Sequence, residues 1–251
     1  MVALAACGTP SPAPPPLEPP GPRLGEVVAT LDGAPITLGE VVKTSLRTDY
    51  PMMLRRQLLR AVIERERRRL GVENSPEERL RFAQARAAEF KVRRPQEFAR
   101  VLKESGRSEE DYIAEYARSA PLDARLSNEK IVAYALFAAD ATHLRLTSEG
   151  SSTELWVVRG MIEREFGADA ERAALAAEPG AEFGSWAGKD GGLYRLTLLD
   201  RSVGSDRPYA DVSGEILARI IAEPLDESTI EGYFDWLLSR SEIRYLRKEF
   251  E

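Results

Sequence analysis

Val27-Val28-Ala29-Thr30-Leu31-Asp32-Gly33-Ala34-Pro35-Ile36-Thr37 is the stretch on which the fold reading turns. The β-branched run Val27–Leu31 predicts a strand, and Asp32-Gly33 is a turn signal. Pro35-Ile36-Thr37 then leads into a helix from Leu38 to about Leu46, with Thr37 as N-cap and Glu40 completing a capping box. Beyond it the chain reads as helix after helix. Leu54, Leu58, Leu59, Val62 and Ile63 recur at helical spacing between about Pro51 and Leu70, where Gly71 ends the run. Ser75-Pro76-Glu77-Glu78 places a cap, a first-turn proline and acids that favour the helix dipole, and Phe82, Ala85 and Phe90 fall on the buried side. Pro95–Ser105 turns Phe98, Val101 and Leu102 inward, Gly106 separates it from the next element, and Ser108 to about Phe137 is helical with an interruption at Pro121.

After Ala138 the period changes. Leu155–Val158 and Leu193–Leu199 are strand-like, with an alanine-rich helix near Asp169 to Ala177 between them. Helical patterns return at Tyr209–Ile221 and Ser228–Ser239, and Glu242-Ile243-Arg244-Tyr245-Leu246 reads as a closing strand. The fold class expected is α+β, mainly α.

Upstream of the opening strand, Gly8 to Gly25 holds eight prolines and, apart from Leu17 and Leu24, almost nothing apolar. Such a segment extends as polyproline II and serves as a spacer. The whole chain has 251 residues, a net charge of -6 and 30% charged residues. That balance speaks against general nucleic-acid binding, which needs a basic face. The local exception is Arg55–Arg69, with seven arginines against Glu64 and Glu66; it reads first as a solvated helix face whose stems cover apolar surface, and otherwise as a headgroup or partner patch. No run reaches the roughly 18 apolar residues of a spanning helix. The single cysteine, Cys7, rules out an internal disulfide and a cysteine-based metal site. No metal spacing, phosphate-cradling glycine motif or serine elbow occurs, and no cofactor is implied.

Two resemblances follow from these residues. Leu4-Ala5-Ala6-Cys7 resembles the bacterial lipobox, in which processing occurs before the cysteine and its thiol carries diacylglycerol. Met1–Ala6 supplies only the end of the leader such a box follows, so residues 1–7 read as a signal remnant and the true start is expected further upstream. The run Val27–Thr37 resembles the opening of SurA-like and PrsA-like periplasmic foldases. Leu58–Ile63 with Leu70-Gly71-Val72 is similar to that family's second helix, and Gly106 with Ser108-Glu109-Glu110-Asp111-Tyr112 to the entry of its fourth. The resemblance implies a helical domain over 26–138, completed by C-terminal helices and a strand over 206–251 that return to its start. Between them, at 139–205, it implies a parvulin-like prolyl isomerase region, whose final strand Leu193–Leu199 resembles. The interval from Leu144 to Asp200 is short for a complete parvulin domain.

Parvulins line their site with two histidines and a cysteine or aspartate over an apolar pocket. This chain has one histidine, His143, which reads as structural or solvent-exposed. The expected positions on Leu155–Val158 and Leu193–Leu198 carry none; Tyr194 and Arg195 stand at the second. Glu163, Glu165, Asp169 and Glu171 read as surface acidity rather than acid/base pairs. No catalytic residue is assigned. Together, the foldase resemblance, the lipobox and the missing histidines lead to the expectation of a lipid-anchored envelope chaperone that binds unfolded or extended polypeptides without isomerase activity. Its candidate client contacts are Met52, Met53, Phe82, Phe90, Phe98, Tyr112 and Tyr116, each of which is also an ordinary core residue type. The alternatives are an isomerase with an atypical pocket at Trp156, Phe183, Trp186 and Tyr194, and a non-catalytic envelope subunit with a dedicated partner.

Overall fold

The computed structural model describes residues 25, 27–31 and 34–243. Cys7, the proline-rich stretch as far as Leu24 and the Arg244–Leu246 part of the expected closing strand lie outside them. The chain divides into two units, residues 1–54 and 55–251. In the first, β1 (Val27–Leu31) and β2 (Ala34–Thr37) form an antiparallel hairpin, and α1 begins at Leu38.

Helix α1 is a correction to the sequence reading. It is assigned as one run, Leu38–Leu70, where two helices separated near Pro51 were expected. Proline lacks the N–H that would bond to the Arg47 carbonyl and costs about 3 kcal/mol inside a helix, yet many other turns of a long helix can carry one such loss. The boundary between the units falls within this helix, between Leu54 and Arg55.

In the second unit α1 ends in a Schellman motif. Gly71 adopts φ 66°, its N–H bonds to the Arg68 carbonyl at 3.2 Å, and the Val72 N–H reaches the Arg67 carbonyl at 2.9 Å. Val72 is thereby turned into the core. The arginines of Arg55–Arg69 are mostly exposed and paired: Arg69 with the buried Glu66 at 2.7 Å, Arg68 with Glu64 at 3.1 Å, and Arg55 with Asp235 at 2.5 Å. They form the solvated face.

Helix α2 (Pro76–Arg93) starts from a complete Ser75/Glu78 capping box, α3 spans Pro95–Ser105, α4 Glu109–Arg118 and α5 Ala120–Ala138. Ser119 caps α5 through its hydroxyl, with Pro121 in the first turn, so the expected interruption is a helix boundary. The sheet region has four strands, β3 (Ala141–Ser148), β4 (Ser151–Val158), β5 (Glu182–Ala187) and β6 (Leu193–Ser202), all antiparallel in the order β4-β3-β6-β5. Two of them, β3 and β5, were not expected from sequence. Between β4 and β5 lie α6 (Met161–Phe166) and α7 (Ala168–Ala176). The buried Glu171 carboxylate accepts the Gly160 and Glu163 N–H groups at 2.8 and 2.9 Å, which supplies the cap that Gly160 lacks. The chain closes with α8 (Tyr209–Ala222) and α9 (Glu227–Ser239).

Two apolar clusters hold this unit together. One joins Ile131, Val132 and Leu136 of α5 to the sheet, α6, α7 and α9; the other joins Leu122, Leu126 and Ala133 of the same helix to α2, α4 and α8. Helix α5 is common to both. The fold class is α+β, mainly helical, with a four-stranded antiparallel sheet beside the two-stranded hairpin of the first unit.

Candidate functional site

The sequence places four aromatic residues so that three short helices bring them into one line. Arg94 ends α2 and starts α3 with φ −140° and ψ 64°, because Pro95 excludes the α conformation from the residue before it. The resulting corner sets Phe98 edge-on to Phe90, with ring centroids 5.5 Å apart. At the end of α3, Gly106 takes the left-handed conformation, and Ser108 then caps α4 by accepting the Asp111 N–H. Helix α4 thereby delivers Tyr112 to the edge of Phe98 at 5.8 Å, and Tyr116, one turn on, stacks with Tyr112 at 6.1 Å. Phe98 is buried, whereas Phe90, Tyr112 and Tyr116 are half-buried and keep part of each ring toward solvent.

These three half-buried rings border a hollow of about 350 Å³ between α2, α4 and the start of α5. Its other walls are basic: Arg86, Arg93, Arg94 and Arg125 line it, against the single acid Glu89. Glu89 bridges Arg86 and Arg93 at 2.9 and 3.2 Å, and Arg125 donates to Glu129 at 3.0 Å. Arg86 is only 6% exposed; it lies over the Phe82 ring and donates to the Ile220 carbonyl at 2.8 Å. Burial holds the Arg86 guanidinium below its ordinary pKa, opposed by the charges of Glu129 and Glu89. Burial likewise pushes the Glu129 carboxyl up, against the Arg125 hydrogen bond and the nearby arginine charges. Desolvation, then the neighbouring Tyr116, raises the Tyr112 phenol. A second hollow, of about 790 Å³, adjoins the first through Arg93 and Arg94 and adds Arg100 and Glu97.

The expected client contacts therefore separate. Phe90, Tyr112 and Tyr116 share the hollow; Phe82 and Phe98 are buried beneath and beside it, filling core. Met52 and Met53 are about half exposed and belong to the first unit. The four arginines were missed by sequence reasoning. A signal for one existed: Phe82, Arg86 and Phe90 recur at i, i+4 and i+8, which puts an arginine in the apolar stripe.

The four residues proposed for an atypical isomerase pocket do not all come together. Trp156 is on edge strand β4, where its ring stacks on His143 at 4.7 Å and 8°. Trp186 pairs with Tyr194 across β5 and β6 at the other edge, three strands across the sheet and several residues further along it. Strand alternation also sets Tyr194 on the face of Leu196 and Leu198, opposite to that of His143 and Trp156. Phe183 lies on β5 with Trp186. Tyr194 donates to Asp190 at 2.5 Å and meets the Phe166 ring at 5.7 Å. Among the described residues no group of three or more His, Cys, Asp or Glu could hold a metal ion, and no helix is long and apolar enough to cross a membrane.

No family model and no curated protein sequence matches the chain. Among solved structures, it is similar to the peptidylprolyl isomerase PrsA from Bacillus cereus, with 14% identity, 91% of this chain and 96% of that chain covered, and a TM-score of 0.35. It is similar also to PrsA from Bacillus subtilis, with 14% identity, 90% and 97% covered, and a TM-score of 0.33. A chain from work on two SurA-like chaperones of Campylobacter jejuni gives 18% identity, 86% and 97% covered, and a TM-score of 0.25.

Proposed function

We propose that this chain is a cell-envelope chaperone, foldase-like in build, which holds unfolded or extended polypeptide segments in the hollow between α2, α4 and α5 and does not isomerise prolyl bonds. One observation carries the reading: Phe90, Tyr112 and Tyr116 present half-buried rings along an open concave surface. Rings fixed by helix packing offer large contact area at small entropic cost, and a groove between helices accepts an extended segment. Attachment would come from lipid on Cys7, with residues 8–25 as a spacer.

The absence of isomerase activity is argued from the histidine count. Lowering a rotational barrier of about 18–20 kcal/mol requires groups that weaken amide resonance, and the histidine network that the family resemblance implies has only His143 to draw on. That ring is stacked on Trp156, with Nε2 3.9 Å from the Glu154 carboxylate.

The purified protein should suppress aggregation of an unfolded protein while barely accelerating a proline-containing peptide. Tyr112→Ala/Tyr116→Ala should weaken suppression severalfold, and His143→Ala should leave it unchanged. Strong acceleration that vanishes in His143→Ala would reverse the assignment in favour of an isomerase. For the anchor, Cys7→Ser expressed from the upstream start should move the protein out of the membrane fraction; retention after a high-salt wash would count against lipidation.

A further inference from the structure

The hollow described above carries a charge opposite to that of the molecule. The chain has a net charge of -6, yet four arginines and one glutamate line this surface. The arginines are held in place by few of their donors. Arg93 uses Nη2 toward Glu89, Arg94 uses Nη1 toward Glu97, and Arg125 uses Nε toward Glu129. Each guanidinium has five N–H donors in a planar fork that matches a carboxylate. The side chains of Arg93 and Arg94 are 74% and 69% exposed, so those forks are open to a ligand.

Beneath them the polar layer is incomplete. Arg86, more than nine-tenths buried, lines the hollow and has no partner for Nε; the second carboxylate oxygen of Glu129, fully buried behind Arg125, also has none. Unpaired buried polar atoms cost free energy, and an anion seated over Arg86 would offset part of that cost on the basic side. The stacked Tyr112 and Tyr116 rings lie on the same wall.

We propose that this hollow selects acidic polypeptide segments that bear aromatic side chains, an aromatic ring lying against Tyr112 and Tyr116 while carboxylates meet Arg93, Arg94 and Arg125. This rests on the client-binding reading and narrows it to one chemical class. The volume of about 350 Å³ fits one large side chain, and the adjoining hollow, which shares Arg93 and Arg94 and adds Arg100 and Glu97, leaves room for the flanking residues of an extended chain. A polyanion such as nucleic acid fits less well, because the long-range field of a chain with net charge -6 repels it. A short segment with a few carboxylates meets mainly the local arginines.

The test is fluorescence anisotropy of the full protein with three labelled probes. These are a short peptide of Glu, Phe and Gly, the same peptide with Gln for Glu, and a single-stranded oligonucleotide. The acidic peptide should bind about tenfold more tightly than its Gln counterpart at low salt, with the gap closing as salt screens exposed charges. Arg93→Gln/Arg94→Gln, which alters two exposed side chains of the lining, should abolish the gap by weakening the acidic peptide more than its Gln counterpart. Tyr112→Ala/Tyr116→Ala should weaken both peptides. Equal affinity for the two peptides, with aggregation suppression intact, would overturn the acidic preference and leave the client-binding reading standing. No binding of either peptide together with no suppression would overturn both, and tighter binding of the oligonucleotide would reassign the surface to nucleic acid.

Discussion

Tyr209 and Tyr233 are almost wholly buried, and burial pushes both phenols up to about 12. Glu78 adds to the shift at Tyr209 and Glu66 at Tyr233, since a nearby carboxylate opposes a second negative charge. In the unfolded chain each phenol ionises near 10, so the neutral form they require when folded is fully available below pH 10. Their contribution to stability is then lost as pH rises from 10 through about 12. The thermal midpoint should fall over that window, and Tyr233→Phe, which cannot ionise, should fall less steeply than the wild type. Parallel curves would show that Tyr233 is not held neutral by its site. Legibility also differs residue by residue. Tyr112 and Tyr116 could be picked out because an i, i+4 aromatic pair follows from one helix, whereas the meeting of Arg93, Arg94 and Arg125 depends on how α2, α3 and α5 pack, which no local pattern encodes.

The helix ends show local chemistry at its most readable. Ser75 is the cap expected of it, and Gly106 and Ser108 close one helix and open the next at the boundary read from the sequence, because a cap is a contact between neighbours in sequence. Gly71 and Gly214 make a paired test of this logic. Neither would bring a new Cβ within 4 Å of other atoms, so packing drops out, but Gly71 has φ +66° and Gly214 sits exposed within α8. Gly71→Ala should lower stability by about 1 kcal/mol. Gly214→Ala should raise it by about 0.5–1 kcal/mol. Denaturant midpoints moving in the same direction would refute the assignment of a Schellman end to α1. Elements defined by non-local pairing were harder to read. Strand β5 is short, carries Gly184 at φ +125° and has a register shift between Glu182 and Ser185, all of which disrupt a two-residue period. Strand β3 does alternate over Leu144 and Leu146, but its status as the inner strand between β4 and β6 follows only from the sheet order.

Within residues 55–251 the arrangement of the cores determines how the unit responds to damage. Helix α5 supplies Leu122 and Leu126 to the cluster under the hollow, and Ile131, Val132 and Leu136 to the cluster under the sheet. A helix shared in this way cannot lose its packing on one side while keeping it on the other, because its backbone hydrogen bonds form cooperatively along its length. The three tryptophans report on one side only: Trp156, Trp186 and Trp236 all pack against the cluster under the sheet. Leu126 is fully buried in the other. Leu126→Ala should cost about 3 kcal/mol, the sum of lost apolar burial and the cavity left behind. Far-ultraviolet dichroism, dominated by the helices, and tryptophan fluorescence, confined to the sheet side, should shift to lower denaturant together and by the same amount. A fluorescence transition that stays at the wild-type midpoint while the dichroism transition moves would mean that the two clusters unfold independently, and that α5 does not couple the hollow to the sheet.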